Sequence, residues 1–101
     1  MGNNDLIDPL GRRITFHNHT WYGHILRAHP ELKSERSRIE ETLRRPNKIC
    51  LSISSPELRY YYISANRTGL FLRVVVDIQK GHVRTAHYIR TLEGGPVEWS
   101  A

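Results

Sequence analysis

The feature that most constrains this chain is in its second half, where four stretches with strand patterning follow one another across turns too short to hold a crossover. Lys48 to Ile53 alternates, with Ile49, Leu51 and Ile53 on one side. Arg59 to Ser64 is tyrosine-rich, Leu70 to Gln79 is the strongest strand of all, and His82 to Ile89 follows it. The connections are Ser54-Ser55-Pro56, Asn66 to Gly69 and Lys80-Gly81, all turn chemistry. Parallel neighbours need a connection of a dozen or more residues, so these four strands are expected to form an antiparallel meander. Gly94-Gly95-Pro96 then separates the last of them from a short tail holding Val97 and Trp99.

The first half reads differently. Asp8-Pro9-Leu10-Gly11 is a turn, residues 1–11 are expected to be an extended lead-in, and Arg12 to His17 alternates as a short strand or extended segment, with Ile14 and Phe16 on one face. Asn18 or Thr20 can cap a helix that starts near Trp21 and carries Trp21, Ile25 and Ala28 at helical spacing. His29-Pro30 ends it, because the residue before a proline avoids the helical region. Ser34 stands where an N-cap would begin a second, amphipathic helix to about Arg45, with Ile39 and Leu43 as its apolar stripe and Pro46 as its stop. With 101 residues there is room for one core, so a single α+β domain over 1–101 is expected: N-terminal helices packed on a four-stranded antiparallel β-sheet, the other sheet face open to a ligand.

Fifteen Lys and Arg against ten Asp and Glu leave a formal charge of +5, which draws the chain toward polyanions. Between Arg59 and Arg90 the basic residues are Arg59, Arg67, Arg73, Lys80, Arg84 and Arg90 against the single acid Asp77, so the charge is concentrated on the strands. Arg predominates there, and its planar fork matches phosphate bidentately; the alternative is a solvated basic face that serves solubility. No apolar run is long enough to span a bilayer and the first residues lack a signal peptide's basic and apolar regions, so a cytoplasmic location and no membrane are expected. Cys50, the only cysteine, sits between Ile49 and Leu51 and reads as a packed thiol. With no HExxH and no Cys/His ligand pattern, neither a metal nor any other cofactor is expected.

Alternation in the long strand puts Leu70, Leu72, Val74, Val76 and Ile78 on one side and Phe71, Arg73, Val75 and Asp77 on the other. Arg73 then points to the open face, toward solvent, a ligand or an ion pair with Asp77. In the partner strand either Thr85 with His87 or Arg84 with Tyr88 faces the open side, joined from the neighbouring strand by Arg59 and Tyr61, or by Tyr60 and Tyr62. Arginine among tyrosines suits single-stranded RNA, whose splayed bases stack on rings while Arg holds phosphate, although tyrosine is also simply a good strand former. The chain holds six histidines, His17, His19, His24, His29, His82 and His87, a residue type suited to general acid and base work near neutrality. RNA can be cut without metal, because its 2′-hydroxyl can attack the adjacent phosphate when a base, an acid and a cation are in place.

The segment from Thr20 to Leu32, with His24-x4-His29-Pro30-Glu31-Leu32 at its centre, is distinctive when taken with Pro46-Asn47-Lys48-Ile49, Tyr60-Tyr61-Tyr62, Leu72-Arg73-Val74-Val75-Val76 and Arg84-Thr85-Ala86-His87-Tyr88. Together they resemble the phage- and mobile-element-associated nucleases of the barnase, EndoU, colicin and RelE superfamily, over roughly Asp8 to Trp99. The resemblance implies a RelE/barnase-like fold and a metal-independent endoribonuclease, with a toxin role among the options. It makes His24 and His29 acid/base candidates, Arg73 a phosphate clamp and Thr85 a phosphate contact. Arg59, Tyr61, Arg84, His87 and Tyr88 are the RNA-binding candidates, although the usual Thr-Ala-Tyr spelling is Thr-Ala-His-Tyr here. The implied partners are RNA and an acidic antitoxin or immunity protein. The alternative from another class is a non-catalytic RNA-binding or protein-interaction module on the same fold, since fold analogy does not certify activity.

Overall fold

The computed structural model describes residues 4–65, 69–92 and 94–101, so Arg67 and most of the turn expected at Asn66 to Gly69 lie outside the described residues. Among the described residues the strands are β1 (Asn4–Ile7), β2 (Arg13–Phe16), β3 (Lys48–Leu51), β4 (Leu58–Ser64), β5 (Phe71–Asp77), β6 (His82–Ile89) and β7 (Val97–Ser100). They form one sheet in the order β1-β2-β6-β5-β4-β3-β7. Between β2 and β3 the chain is helical. Helix α1, residues 18–28, opens and closes with α turns (Asn18–Thr20 and Leu26–Ala28) around a π-wound middle, Trp21–Ile25. A 3-10 turn, Pro30–Leu32, leads to α2, Arg36–Arg44. Among the described residues no helix is long and apolar enough to cross a membrane.

The expected RelE/barnase-like arrangement, N-terminal helices on a four-stranded antiparallel sheet, is corrected here. The sheet has seven strands rather than four and is mixed, because β2 lies parallel to β6 while the other neighbours are antiparallel. The helices are short and are not N-terminal, since the β1-β2 hairpin precedes them. The physical reason lies in the three added strands. The segment of β2 alternates as a short strand but shows nothing locally of where it joins, and the four-residue β1 and β7 carry too few alternating apolar positions to announce themselves. They exist because their backbone groups find partners on the sheet. The Asp8 turn folds β1 onto β2: the Asp8 carboxylate accepts from the backbone amides of Leu10 and Arg12 at 2.9 and 2.8 Å, so residues 4–7 are a strand and not a lead-in. The helix start is also corrected. Ser34 does not cap α2; the cap position is Glu35, which makes no capping bond and whose carboxylate instead receives the Tyr88 hydroxyl.

One face of the sheet carries the core. Leu72, Val74 and Val76 of β5 share it with Tyr61, Val83 and Ala86, and against them pack Trp21 and Ile25 of α1 and Ile39 and Leu43 of α2. Full burial of each such aliphatic side chain contributes about 1.5–3 kcal/mol relative to exposure. Cys50 is buried and burial pushes its thiol above the ordinary value, which fits packing and not nucleophilic work.

At the far edge, Gly94 lets the tail return onto β3. It has φ of +124°, and a Cβ there would meet the Tyr60 ring at 2.9 Å and the Leu51 carbonyl oxygen at 3.2 Å. Gly94→Ala is therefore expected to destabilise the fold by about 1–3 kcal/mol, through backbone strain and the clash together. A urea-unfolding midpoint unchanged from the parent protein would show that the tail does not depend on this close approach.

Candidate functional site

A β-bulge determines which side chains of β6 reach the open face. Val75 pairs with Thr85 but Val76 pairs with Val83, which leaves Arg84 as the extra residue. The bulge breaks simple alternation: Val83, Ala86 and Tyr88 turn toward the helices, while His82, Thr85 and His87 share the other side with Asp77, Val75 and Arg73. Of the two sets that period-two alternation allowed, Thr85 with His87 is the one on this face, while Val83, which simple alternation would put beside them, turns the other way.

Helix α1 walls this face. β2 pairs with β6 only at Thr15 and His82, after which the chain leaves the sheet and runs as α1 beside the remainder of β6. Trp21 and Ile25 anchor the helix in the core, so the opposite side of its π-wound middle presents Gly23 and His24 to the sheet, with His19 and Thr20 from the turn before. These four line a cavity of about 580 Å³. The sheet supplies its other wall: Leu58, Val75, His82, Val83, Arg84 and Thr85.

Two residues beyond Thr85 on the same face of β6, His87 belongs to an arginine-histidine centre whose members do not line the cavity. Arg73 donates from Nε to Nε2 of His87 at 3.0 Å, with Nη2 2.6 Å from the same nitrogen. Guanidinium has no acceptor, so in this arrangement Nε2 of His87 offers its lone pair. The Arg73 guanidinium also stands 4.8 Å over the Tyr60 ring, which in turn meets Tyr62 edge to face. His29 comes to the same place from the end of α1. Its backbone leaves the helix at φ −137°, ψ 70° before Pro30, and its ring centroid lies 5.4 Å from that of His87. On its other side, Nδ1 is 3.5 Å from a Glu31 carboxylate oxygen, which favours a proton on Nδ1, so that Nε2 carries a proton to give only when the ring is in its charged form.

At the opposite end of the cavity three further imidazoles cluster. His17 and His19 stack with centroids 4.9 Å apart, and His17 meets His82 edge to face at 5.3 Å. Burial first, and then the neighbouring His17, hold His82 below the ordinary histidine value. Asp77 near His82 is held below the usual carboxylate range, chiefly by the Lys80 backbone amide and also by that of Gln79, both 3.0 Å from Oδ1.

The fold thus brings together His24, His29, Arg73, Thr85, Arg84 and His87 of the expected site. It removes three others. Tyr61 is fully buried and donates to Asp8 Oδ2 at 2.5 Å, so it has no surface on which a base could stack. Arg59 points the same way, donating to Glu98 at 3.0 Å and to the Pro56 and Leu58 carbonyls. Tyr88 faces the helices and donates to Glu35 at 2.6 Å; burial, with that bond, pushes its phenol up to about 12. Four residues that sequence reasoning did not place at the site are His17, His19, His82 and Tyr60. Alternation admits Tyr60 only as a member of one of two tyrosine sets. His82 could not share a face with Thr85 under strict alternation, and only the bulge lets it do so.

Comparison with known protein families, with curated proteins and with solved structures finds no match for this chain.

Proposed function

We propose that this groove binds single-stranded RNA and cleaves it by 2′-hydroxyl attack on the adjacent phosphate, without a metal. The observation that carries the reading is the Arg73, His87 and His29 arrangement beside the Thr85 and His24 cavity. The two rings are tilted neighbours with centroids 5.4 Å apart, close enough for both to reach the edges of one phosphate, and transesterification uses such a pair, one to take a proton and one to give it. His87 is the base, because its Nε2 lone pair accepts from Arg73 and is released when Arg73 turns to a phosphate. Arg73 exchanges that nitrogen for the phosphate oxygens, where its fork stabilises the charge that builds as the 2′-oxygen attacks. His29, held through Nδ1 by Glu31, gives its Nε2 proton to the departing 5′-oxygen. Thr85 donates to a non-bridging oxygen and His24 lines the approach for the substrate. The bond formed is 2′-O to P and the bond broken is P to 5′-O, which leaves a 2′,3′-cyclic phosphate.

The test is incubation of the purified full chain with unstructured RNA in EDTA. Cyclic-phosphate ends, formed at a rate that falls on substitution of Arg73 or His87, are the expected result. RNA retained without cutting by the intact protein would replace this reading with that of a binding module, which the Arg73 and Tyr60 stack alone could serve. Binding that is negligible at physiological salt would overturn both.

A further inference from the structure

The imidazole trio at the far end of the groove has no role in the proposed cleavage. His17 and His19, two residues apart where β2 gives way to α1, meet His82 from the start of β6, and the His17 ring contacts both of the others. The stacked and edge-on ring geometry turns their in-plane nitrogens in different directions, and among the described residues no three His, Cys, Asp or Glu are arranged to hold a metal ion. Their other neighbours are Asp77 and Lys80 of the β5-β6 turn and, along the cavity wall, His24 and Arg84. The Asp77 carboxylate is occupied by backbone amides of its own turn. The end of the groove therefore holds several potential cations, with one carboxylate that is already engaged.

Burial and the neighbouring His17 disfavour the charged form of His82, and an anion that arrives beside the three rings offsets that. Because of the bulge, His82 and His87 lie opposite Asp77 and Arg73, four residues apart on β5, which is roughly 13 Å at ordinary strand rise. One phosphate cannot touch both ends, but successive phosphates of one strand can, with the cavity between them to receive a base. We propose that His17, His19 and His82 form a second phosphate subsite, which takes a backbone phosphate of the same RNA strand beyond the one at Arg73 and holds it more tightly as the imidazoles take up protons. This rests on the RNA reading of the groove. It makes the substrate a strand spanning several nucleotides rather than a dinucleotide, and it makes affinity fall as pH rises through the ordinary histidine range, because the protonated form is the one that binds.

The experiment uses oligonucleotides with 2′-O-methyl groups, which cannot be cut, so that binding is read apart from cleavage. Fluorescence anisotropy compares a hexamer with a dinucleotide at about pH 5.5 and about pH 7.5, on either side of the histidine range, at one ionic strength. The hexamer is expected to bind about tenfold tighter at the lower pH, the value of one charge-assisted contact, and the dinucleotide to change by less than about threefold. H17Q/H19Q and, separately, H82Q are expected to abolish the hexamer's gain, with circular dichroism confirming that each variant is folded. A gain that persists in both variants, or that the dinucleotide shares, overturns the subsite while leaving the RNA reading intact. If the parent protein binds neither oligonucleotide at either pH, the RNA reading itself has failed. Inorganic phosphate titrated against nitrogen-15-labelled imidazoles then completes the test. Shifts of all three rings are the expected result, because the subsite takes a phosphate, and no shift would mean that no subsite exists.

Discussion

Replacing Asp8 with alanine is expected to lower the unfolding free energy by about 3 kcal/mol, the low end of the range for removing one partner of a buried charge pair. Asp8 is 4% exposed and takes the Arg12 Nε at 2.8 Å, the Tyr61 hydroxyl and two backbone amides. Arg12 also pairs with Glu98 of β7 at 2.7 Å, and Glu98 receives Arg59 of β4. The network fastens the N-terminal hairpin to the middle of the sheet and to the C-terminal strand. Tyr61→Phe removes a neutral hydroxyl that donates to Asp8 and accepts from Arg12 Nη2 at 3.2 Å, and leaves the Asp8–Arg12 pair in place, so a smaller loss of about 1 kcal/mol is expected. Urea unfolding followed by tryptophan fluorescence measures both; an Asp8→Ala loss below about 0.5 kcal/mol would put the pair in the class of exposed ion pairs and sink the argument.

The same network makes stability depend on acid. Burial alone would raise the Asp8 and Glu98 carboxyls, but hydrogen bonds from Tyr61 and Arg12 to Asp8, and from Arg12 and Arg59 to Glu98, hold both below their ordinary values of 3.8 and 4.5. A carboxyl depressed in the folded state contributes stability above its unfolded value and loses it as pH falls toward its folded value. The network's contribution to stability should therefore be constant near neutrality and decline below those ordinary values, and the acid decline should be shallower in Asp8→Ala.

His87→Ala is expected to lower the cleavage rate by about 10²–10⁴-fold, the range for a lost general base, and Arg73→Ala by about 10²–10³-fold. The two losses should not add, because Arg73 and His87 act through one hydrogen-bonded pair. Tyr88→Phe gives the contrast. Its hydroxyl is on the helix side of the sheet with Glu35, so the rate should stay within about threefold, the scale of a substitution remote from the reacting atoms. Initial rates on a short RNA, in EDTA, check all three. A large loss in Tyr88→Phe with little in His87→Ala would reverse the face assignment of β6 and remove the base from the proposed mechanism.

The strand β5 and its faces were legible because Leu72, Val74 and Val76 repeat every two residues and the turns beside it are short. His29 was legible as a residue that must project from a helix end, because Pro30 follows it. The pairing of His87, and not Tyr88, with Arg73 was not legible, since both candidate sets fit an unbroken alternation and the bulge at Arg84 is a property of how two strands align. Nor was the withdrawal of Arg59 and Tyr61 from the open face, because Glu98 and Asp8, which hold them, are 39 and 53 residues away along the chain. Local spacing determined the helices, the turns and the apolar stripes, whose causes lie within a few residues. Only the tertiary structure decided the three extra strands, the register and the gathering of six histidines along one groove, because each depends on backbone or side-chain partners that become neighbours when the sheet closes.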